Sequence, residues 1–461
     1  MAATITNASI IIPLADLTLA ELVLIKAQCT YKDKSVEYAI RNASKSPWGQ
    51  KNIPALKDKL TITLYEETPE VLIIPQGMSH LLPSHLILID KRVLPSFHEM
   101  TWFQKPKYDM RYYQVEAVES LKVHSRGQGV LATGSGKTYI MLSLVKQTGL
   151  KTLIICPSSL IGDQLYNDFS THLGKRFVGM FGSGKKEVKQ ITVGLFQSVT
   201  KSAELFKDFQ MVICDESQYI SSNSIVTIVR ELSHVPYFYS VSATNWRADG
   251  RTPEIYAASG DVRYSFDTKR AIEEGFLAKP VFIVREVPSS GKEYELKQKN
   301  YTHHVIKNNL LTKQIIADIQ KAQSMGMSTL VLVQEIEHGE MFASTLNVPF
   351  ANGENKHSMQ LIKQLNAGTV KTLIAGAAMA SVGVDTVRVD CLIMLSFAGS
   401  DGRILQSLGR GLRKYPGKEK LLCLDYKPMG SQQLRRHTDT RIEVYQELGP
   451  VKIIRSTQDG F

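Results

Sequence analysis

The sequence predicts an α/β protein, two tandem parallel-sheet domains preceded by a small α+β module. Two observations predict it. From Gly129 onward, short runs rich in Val, Ile and Leu alternate with longer polar, helix-like stretches, the mark of parallel strands buried on both faces by helices. The runs fall into two similar series, and 461 residues at roughly 100–200 per domain leave room for about three domains.

In chain order, the first hundred residues lack this alternation. Apolar positions at helical spacing predict a helix over Leu17–Gln28. Lys59–Tyr65 and Val71–Pro75 read as two strands about a turn at Thr68-Pro69, and His85–Asp90 as a further apolar run. The first parallel series is Gly129–Ala132, Thr152–Cys156, Thr192–Leu195, Met211–Cys214 and Phe238–Ser242. The second is Val281–Val284, Thr329–Val333, Thr372–Ala375, Cys391–Leu395 and Leu421–Leu424. Turn and extended signals in Gly275–Pro280 put the join there. The expected division is therefore 1–100, 101–278 and 279–461.

Composition narrows the class. With 43% apolar residues the chain has material for packed cores, which excludes a mostly disordered protein. No apolar run reaches the ~18 residues of a membrane-crossing helix. The first basic residue is Lys26, so Ile10–Leu14 lacks the basic flank of a secretion signal. A cytoplasmic protein is expected. Five cysteines sit apart; Cys156, Cys214, Cys391 and Cys423 end or interrupt apolar runs and read as reduced, buried hydrophobes, with no zinc expected. The charge of +11, from 55 Lys+Arg against 44 Asp+Glu, suits a phosphate-binding surface.

The strongest local signal is Ala132-Thr133-Gly134-Ser135-Gly136-Lys137-Thr138, placed between a candidate strand and a helical stretch, Tyr139–Gln147. That is the context of a phosphate-binding loop. Glycines let the backbone N–H groups face phosphate oxygens at a helix N-terminus. Lys137 supplies a charge for the β/γ-phosphates and Thr138 a hydroxyl for Mg²⁺. Leu131 stands where the common pattern has its first glycine. The second signal is Met211-Val212-Ile213-Cys214-Asp215-Glu216, an apolar run ending in two carboxylates. Asp215 suits Mg²⁺ and Glu216 the attacking water. In the second domain, Gln406-Ser407-Leu408-Gly409-Arg410-Gly411-Leu412-Arg413 puts two arginines three apart, on one face if helical. Arginine stabilises the charge of a transferring γ-phosphoryl group. An ATP site in the cleft between the two domains is the expectation.

In this order the motifs resemble a superfamily 2 helicase or translocase, over Tyr108 to Tyr415, two thirds of the chain. Arg111-Tyr112-Tyr113-Gln114 is similar to the adenine-reading segment, with Gln114 the base contact. Pro157-Ser158-Ser159-Leu160 and Gly194-Leu195-Phe196-Gln197-Ser198 resemble the strand-gripping segments, which implies Ser158, Ser159, Gln197 and Ser198 as nucleic-acid contacts. For each of these, a turn or cap hydroxyl is the plain alternative. Ser242-Ala243-Thr244 resembles the element coupling hydrolysis to movement. Ala380-Ser381-Val382-Gly383-Val384-Asp385 is similar to the segment touching both ligands, with Ser381 on nucleic acid and Gly383 and Asp385 on nucleotide. Gln406 joins the catalytic set by the same resemblance. After Asp215-Glu216 the chain continues Ser217-Gln218, departing from the best-known groups.

Two stretches narrow the group. Ser242-Ala243-Thr244-Asn245-Trp246-Arg247-Ala248-Asp249-Gly250 and Ala271-Ile272-Glu273-Glu274-Gly275-Phe276-Leu277 resemble DNA-directed members, the type III restriction subunits and helicases related to XPB. The layout, a small module carrying Pro47-Trp48-Gly49 before a compact motor, is similar to the phage UvsW-type helicases. The resemblance implies two RecA-like domains, ATP and Mg²⁺, a monomer, and action on forked or junction DNA in recombination and repair. An RNA helicase, a duplex translocase without strand separation and a non-enzymatic scaffold are the other readings. In the module, Lys45, Trp48, Lys51, Lys57 and Lys59 are candidate DNA contacts; Trp48 packing the module's own core is the alternative.

Overall fold

The computed structural model describes residues 2–107, 109–217, 228, 231–243, 252–294, 297–355, 357–377, 386, 388–395 and 401–455. By its contacts the chain forms two units, residues 1–131 with 136–265, and residues 132–135 with 266–461. No described helix is long and apolar enough to cross a membrane.

The first unit opens with a five-stranded sheet, in the order Glu66–Glu67, Val71–Pro75, Ser9–Pro13, Ala2–Ile5, Ile87–Asp90. Alternation buries Ile10, Ile12, Leu72 and Ile74 beneath Ile25 and Cys29, as a half-covered sheet requires. The helix runs Leu19–Gln28, started by a capping box between Thr18 and Glu21. One expectation is corrected here. The hairpin partner of Val71–Pro75 is Glu66–Glu67, while Thr61–Thr63 pairs separately with Thr30–Lys32. Two charged residues masked the true strand, because on this edge their side chains stay in water.

An eight-stranded sheet follows in the same unit. Its order is Lys185–Lys186, Val178–Gly182, Ile191–Leu195, Thr152–Cys156, Met211–Asp215, Tyr237–Ser242, Arg126–Leu131, Val262–Phe266. Pairing is parallel from Val178–Gly182 across to Arg126–Leu131. The middle strands are buried throughout. The small module docks on the edge where these strands begin. Gln76 Nε2 donates to Ser125 Oγ at 2.8 Å, and Arg126 Nη2 donates to the Asn7 and Ser233 carbonyls at 2.7 and 2.6 Å. Ala257 belongs to the module's own apolar cluster. Between the two, residues 91–107 carry no regular structure. Their backbone N–H groups at His98, Met100 and Phe103 nevertheless donate to the carbonyls of Thr148, Lys146 and His172 at 2.8–2.9 Å.

The second unit is built on a seven-stranded, wholly parallel sheet. Its order is Phe350–Ala351, Thr372–Gly376, Thr329–Val333, Cys391–Leu395, Lys420–Pro428, Lys279–Val287, Val451–Arg455. The α/β expectation of parallel sheets thus holds in both units. Two strands are longer than their apolar runs, because the ions that interrupt them are paired inside. Arg285 donates to both Asp318 oxygens at 2.8 and 2.9 Å, and Arg441 to both Asp425 oxygens at 2.6 and 3.0 Å. Tyr426 and Tyr445 hydroxyls complete the two carboxylates. All five cysteines are free and buried, as small hydrophobes would be.

Candidate nucleotide site and nucleic-acid interface

Parallel strands end together, so the segments that follow them share one edge. In the first sheet this edge carries the loop after Leu131, Asp215-Glu216 and Ser242-Ala243. It lies opposite the edge that holds the small module. Gly134 and Gly136 have φ of +88° and +84°, a region L side chains avoid. Gly136 is also short of space: a Cβ there would stand 2.4 Å from Gln114 Nε2. The helix begins at Lys137 and runs to Thr148. Buried Gln114 sits in the first turn of the helix Tyr112–Lys122, its Oε1 accepting from the Arg111 N–H at 2.9 Å.

Lys137 Nζ lies 3.2 Å from Glu216 Oε1. Glu216 has φ of +50°, a left-handed conformation that costs about 1–3 kcal/mol in a residue with a Cβ. The kink turns its carboxylate off the strand, while its N–H donates to the Val241 carbonyl at 3.2 Å. Asp215 is buried, and its Oδ1 accepts no hydrogen bond among the described residues. Burial pushes the Asp215 carboxyl up to about 7, the Glu216 charge adds to this, and Lys137 opposes it. A divalent cation would relieve both the burial cost and the repulsion between the carboxylates. Thr138 and Asp215 therefore fit Mg²⁺, with the remaining ligands from phosphate and water.

A residue missed in the sequence joins this group. Ser240 Oγ donates to Ser217 Oγ at 2.7 Å, fully buried. The link ties the segment after Asp215-Glu216 to the strand that leads into Ser242-Ala243. The departure at Ser217 was the signal available in the sequence. Ser242 is buried and Ala243 half-buried.

Ser158, Ser159, Gln197 and Ser198 come together beyond two paired strands, where Leu195 is in register with Cys156. Gln197 and Ser159 are exposed. Ser158 caps the helix Ser159–Leu173 by accepting from the Ile161 N–H at 3.4 Å, so its hydroxyl already has the local use weighed above. Arg410 is buried in the last turn of the helix Asp401–Gly411, and Arg413 follows, its backbone bridged to Leu277. Gln218, Thr244, Asn245–Gly250, Ser381, Gly383 and Asp385 lie outside the described residues, as does the side chain of Gln406.

Trp48 stands in a short helix, Pro47–Gln50, and at 84% exposure it packs no core, which removes the alternative weighed above. Lys51 Nζ lies 5.8 Å from its ring centre, and Lys45, Lys57 and Lys59 are exposed nearby in sequence.

The family model of the type III restriction enzyme res subunit matches residues 107–245. The chain is 25% identical over 321 residues to the DNA 3'-5' helicase XPB of Kineococcus radiotolerans, covering 66% of this chain and 57% of that protein. It is 22% identical over 344 residues to the ATP-dependent DNA helicase uvsW of Enterobacteria phage T4, covering 68% and 67%. These similarities support a helicase of the superfamily 2 type. The chain spans about half the length of the XPB and Rad25 relatives it matches. The solved structure of an HsdR-type subunit fragment of a type I restriction enzyme from Vibrio vulnificus superposes with a TM-score of 0.57 at 20% identity, over 76% of this chain and 70% of that one. The shared fold is two RecA-like parallel-sheet domains in tandem.

Proposed function

We propose that the protein is an ATP-dependent DNA helicase or translocase that unwinds or branch-migrates forked and junction DNA in recombination and replication-fork repair. The carrying observation is the Lys137–Glu216 pair beside the buried, under-bonded Asp215, on the strand edge that holds the phosphate loop. Lys137 and the N–H groups around Gly134–Gly136 would hold the phosphates, and Gln114 the base. Thr138 and Asp215 would hold Mg²⁺, which supplies charge neutralisation at the phosphates. Glu216 would orient the attacking water and take its proton. Arg410, Arg413 and Gln406 are the further catalytic residues of this reading, and Gly383 and Asp385 its further nucleotide contacts. Ser158, Ser159, Gln197, Ser198 and Ser381 would grip a strand backbone, and Ser242-Ala243-Thr244 would couple that grip to the phosphate loop. The protein is expected to act as a monomer in the cytoplasm.

ATP hydrolysis measured without polymer, with RNA, with linear duplex and with a four-way DNA junction tests the reading. Strongest stimulation by the junction, with displacement of a labelled fork strand, is expected. Stimulation by RNA alone would make it an RNA helicase, and stimulation without displacement a duplex translocase.

Two further results are expected. A grip on phosphates releases counterions, so affinity should fall steeply as salt rises from 50 to 200 mM and vary little with base sequence. Fluorescence anisotropy on two unrelated forks reads both. In the module, an exposed ring beside Lys51 can stack on an unpaired base, an interaction worth about 1–3 kcal/mol. Trp48→Ala should therefore raise the fork dissociation constant roughly 5–150-fold and the linear-duplex constant far less. Equal loss on both would remove the module from branch recognition.

A further inference from the structure

Helix Asp401–Gly411 ends at the arginine pair, and its last carbonyls have no intrahelical donors. One of them, on Gly411, accepts a hydrogen bond from Lys418 Nζ. Lys418 is only 3% exposed. Its approach is set by the turn between: Gly417 has φ of +88°, and the Lys418 N–H donates to the Tyr415 carbonyl at 2.9 Å. Tyr415 in turn donates to Asp390 Oδ1, whose other oxygen accepts from the Ser328 N–H at 2.9 Å. The lysine thus hangs from a loop fastened to the edge where strands Thr329–Val333 and Cys391–Leu395 begin.

Two other features fasten the same four residues. A Cβ on Gly411 would meet Leu421 Cδ2 at 2.9 Å, so the helix end lies hard against the sheet. The Ala278 N–H donates to the Leu412 carbonyl at 2.7 Å. Arg410 and Arg413 therefore leave a backbone held on three sides, one of them by a buried cation.

A buried ammonium is costly to keep. Burial draws the Lys418 pKa down to about 8, with the Asp390 charge opposing. An apolar side chain of similar volume would fill the space without that cost. What it could not do is meet the carbonyl at the helix end and its negative dipole.

We propose that Lys418 is a positioning residue for Arg410 and Arg413, holding the end of their helix through the Gly411 carbonyl. The inference rests on the reading that these arginines meet the transferring phosphoryl group. A group that must match a transition state tolerates little displacement, so loosening its support lowers turnover more than substrate affinity.

The test uses the full chain, with DNA-stimulated ATPase and thermal melting. Lys418→Met should lower kcat about tenfold, with KM for ATP within about twofold of wild type and a cooperative melt. Lys418→Arg, which keeps a cationic donor, should recover most of the loss. Gly411→Ala disturbs the same helix end from the sheet side and should also act on kcat. In an Arg413→Ala background, with residual turnover followed by labelled ATP, Lys418→Met should add less than about twofold, because the two act as one unit. Wild-type kcat in folded Lys418→Met, wild-type kcat in Gly411→Ala, or a fully multiplicative effect in the double variant would overturn the assignment. Wild-type turnover in Arg410→Ala and Arg413→Ala would instead overturn the reading beneath it.

Discussion

Lys137→Ala is expected to abolish ATP turnover, by a factor on the order of 10²–10³ or more, the effect of removing one preorganised charge from a developing oxyanion. The variant has a second consequence. Lys137 opposes the rise of the buried Asp215 carboxyl, so its loss leaves that carboxyl more readily protonated. Turnover, fluorescent-nucleotide binding and melting should be measured together. Lost turnover with an unchanged melt is the expected pattern; turnover within a few-fold of wild type would remove the phosphate role from this loop.

Glu216→Gln is expected to give the opposite balance, with slow turnover and retained binding. The amide has the shape of the carboxylate but cannot take a proton from water, and a positioned general base contributes roughly 10²–10⁴-fold. Removing this charge also frees Lys137 from its ion pair and relieves one of the pressures on Asp215. ATP and fork DNA should therefore bind at least as tightly as to wild type, while phosphate release stalls. Filter binding with a non-hydrolysed complex, set beside steady-state release, measures both. Loss of nucleotide binding in this variant would mean that Glu216 holds the loop rather than the water.

How far these assignments were legible depended on whether a residue's neighbours lie close in sequence. The phosphate loop announced itself because strand, glycines, lysine and helix are consecutive, and Asp215-Glu216 because an apolar run ends on it. Ser240 itself carried no mark, and the departure at Ser217 points to it only once parallel pairing sets its strand beside the one that carries Asp215. The ions Arg285, Asp425 and Arg441 misled in the other direction. They look like surface residues until the fold pairs them inside. Glu66-Glu67 reads as a loop because a solvated edge strand needs no apolar pattern, whereas Ala2–Ile5 and Ser9–Pro13 are short strands whose partners had first to be known. Trp48 could not be placed from composition, because an aromatic beside lysines fits a core or a surface equally until its exposure is seen.

The irregular segment from 91 to 107 has a practical reach of its own. It has the look of a tether, with prolines at 95 and 106, yet main-chain bonds to Thr148, Lys146 and His172 lay it down like a belt along its neighbour. Cutting at residue 100 would strip the belt midway and bare Arg126 and Ala257 to water. A shortened motor would then lose solubility for reasons unrelated to DNA. Exchanging the first hundred residues between relatives would fail in the same way unless Gln76 kept its acceptor Ser125 and the carbonyl of residue 7 its donor Arg126. Here the small module and the sheet beneath it are one casting, better altered on its outer face than exchanged at its seam.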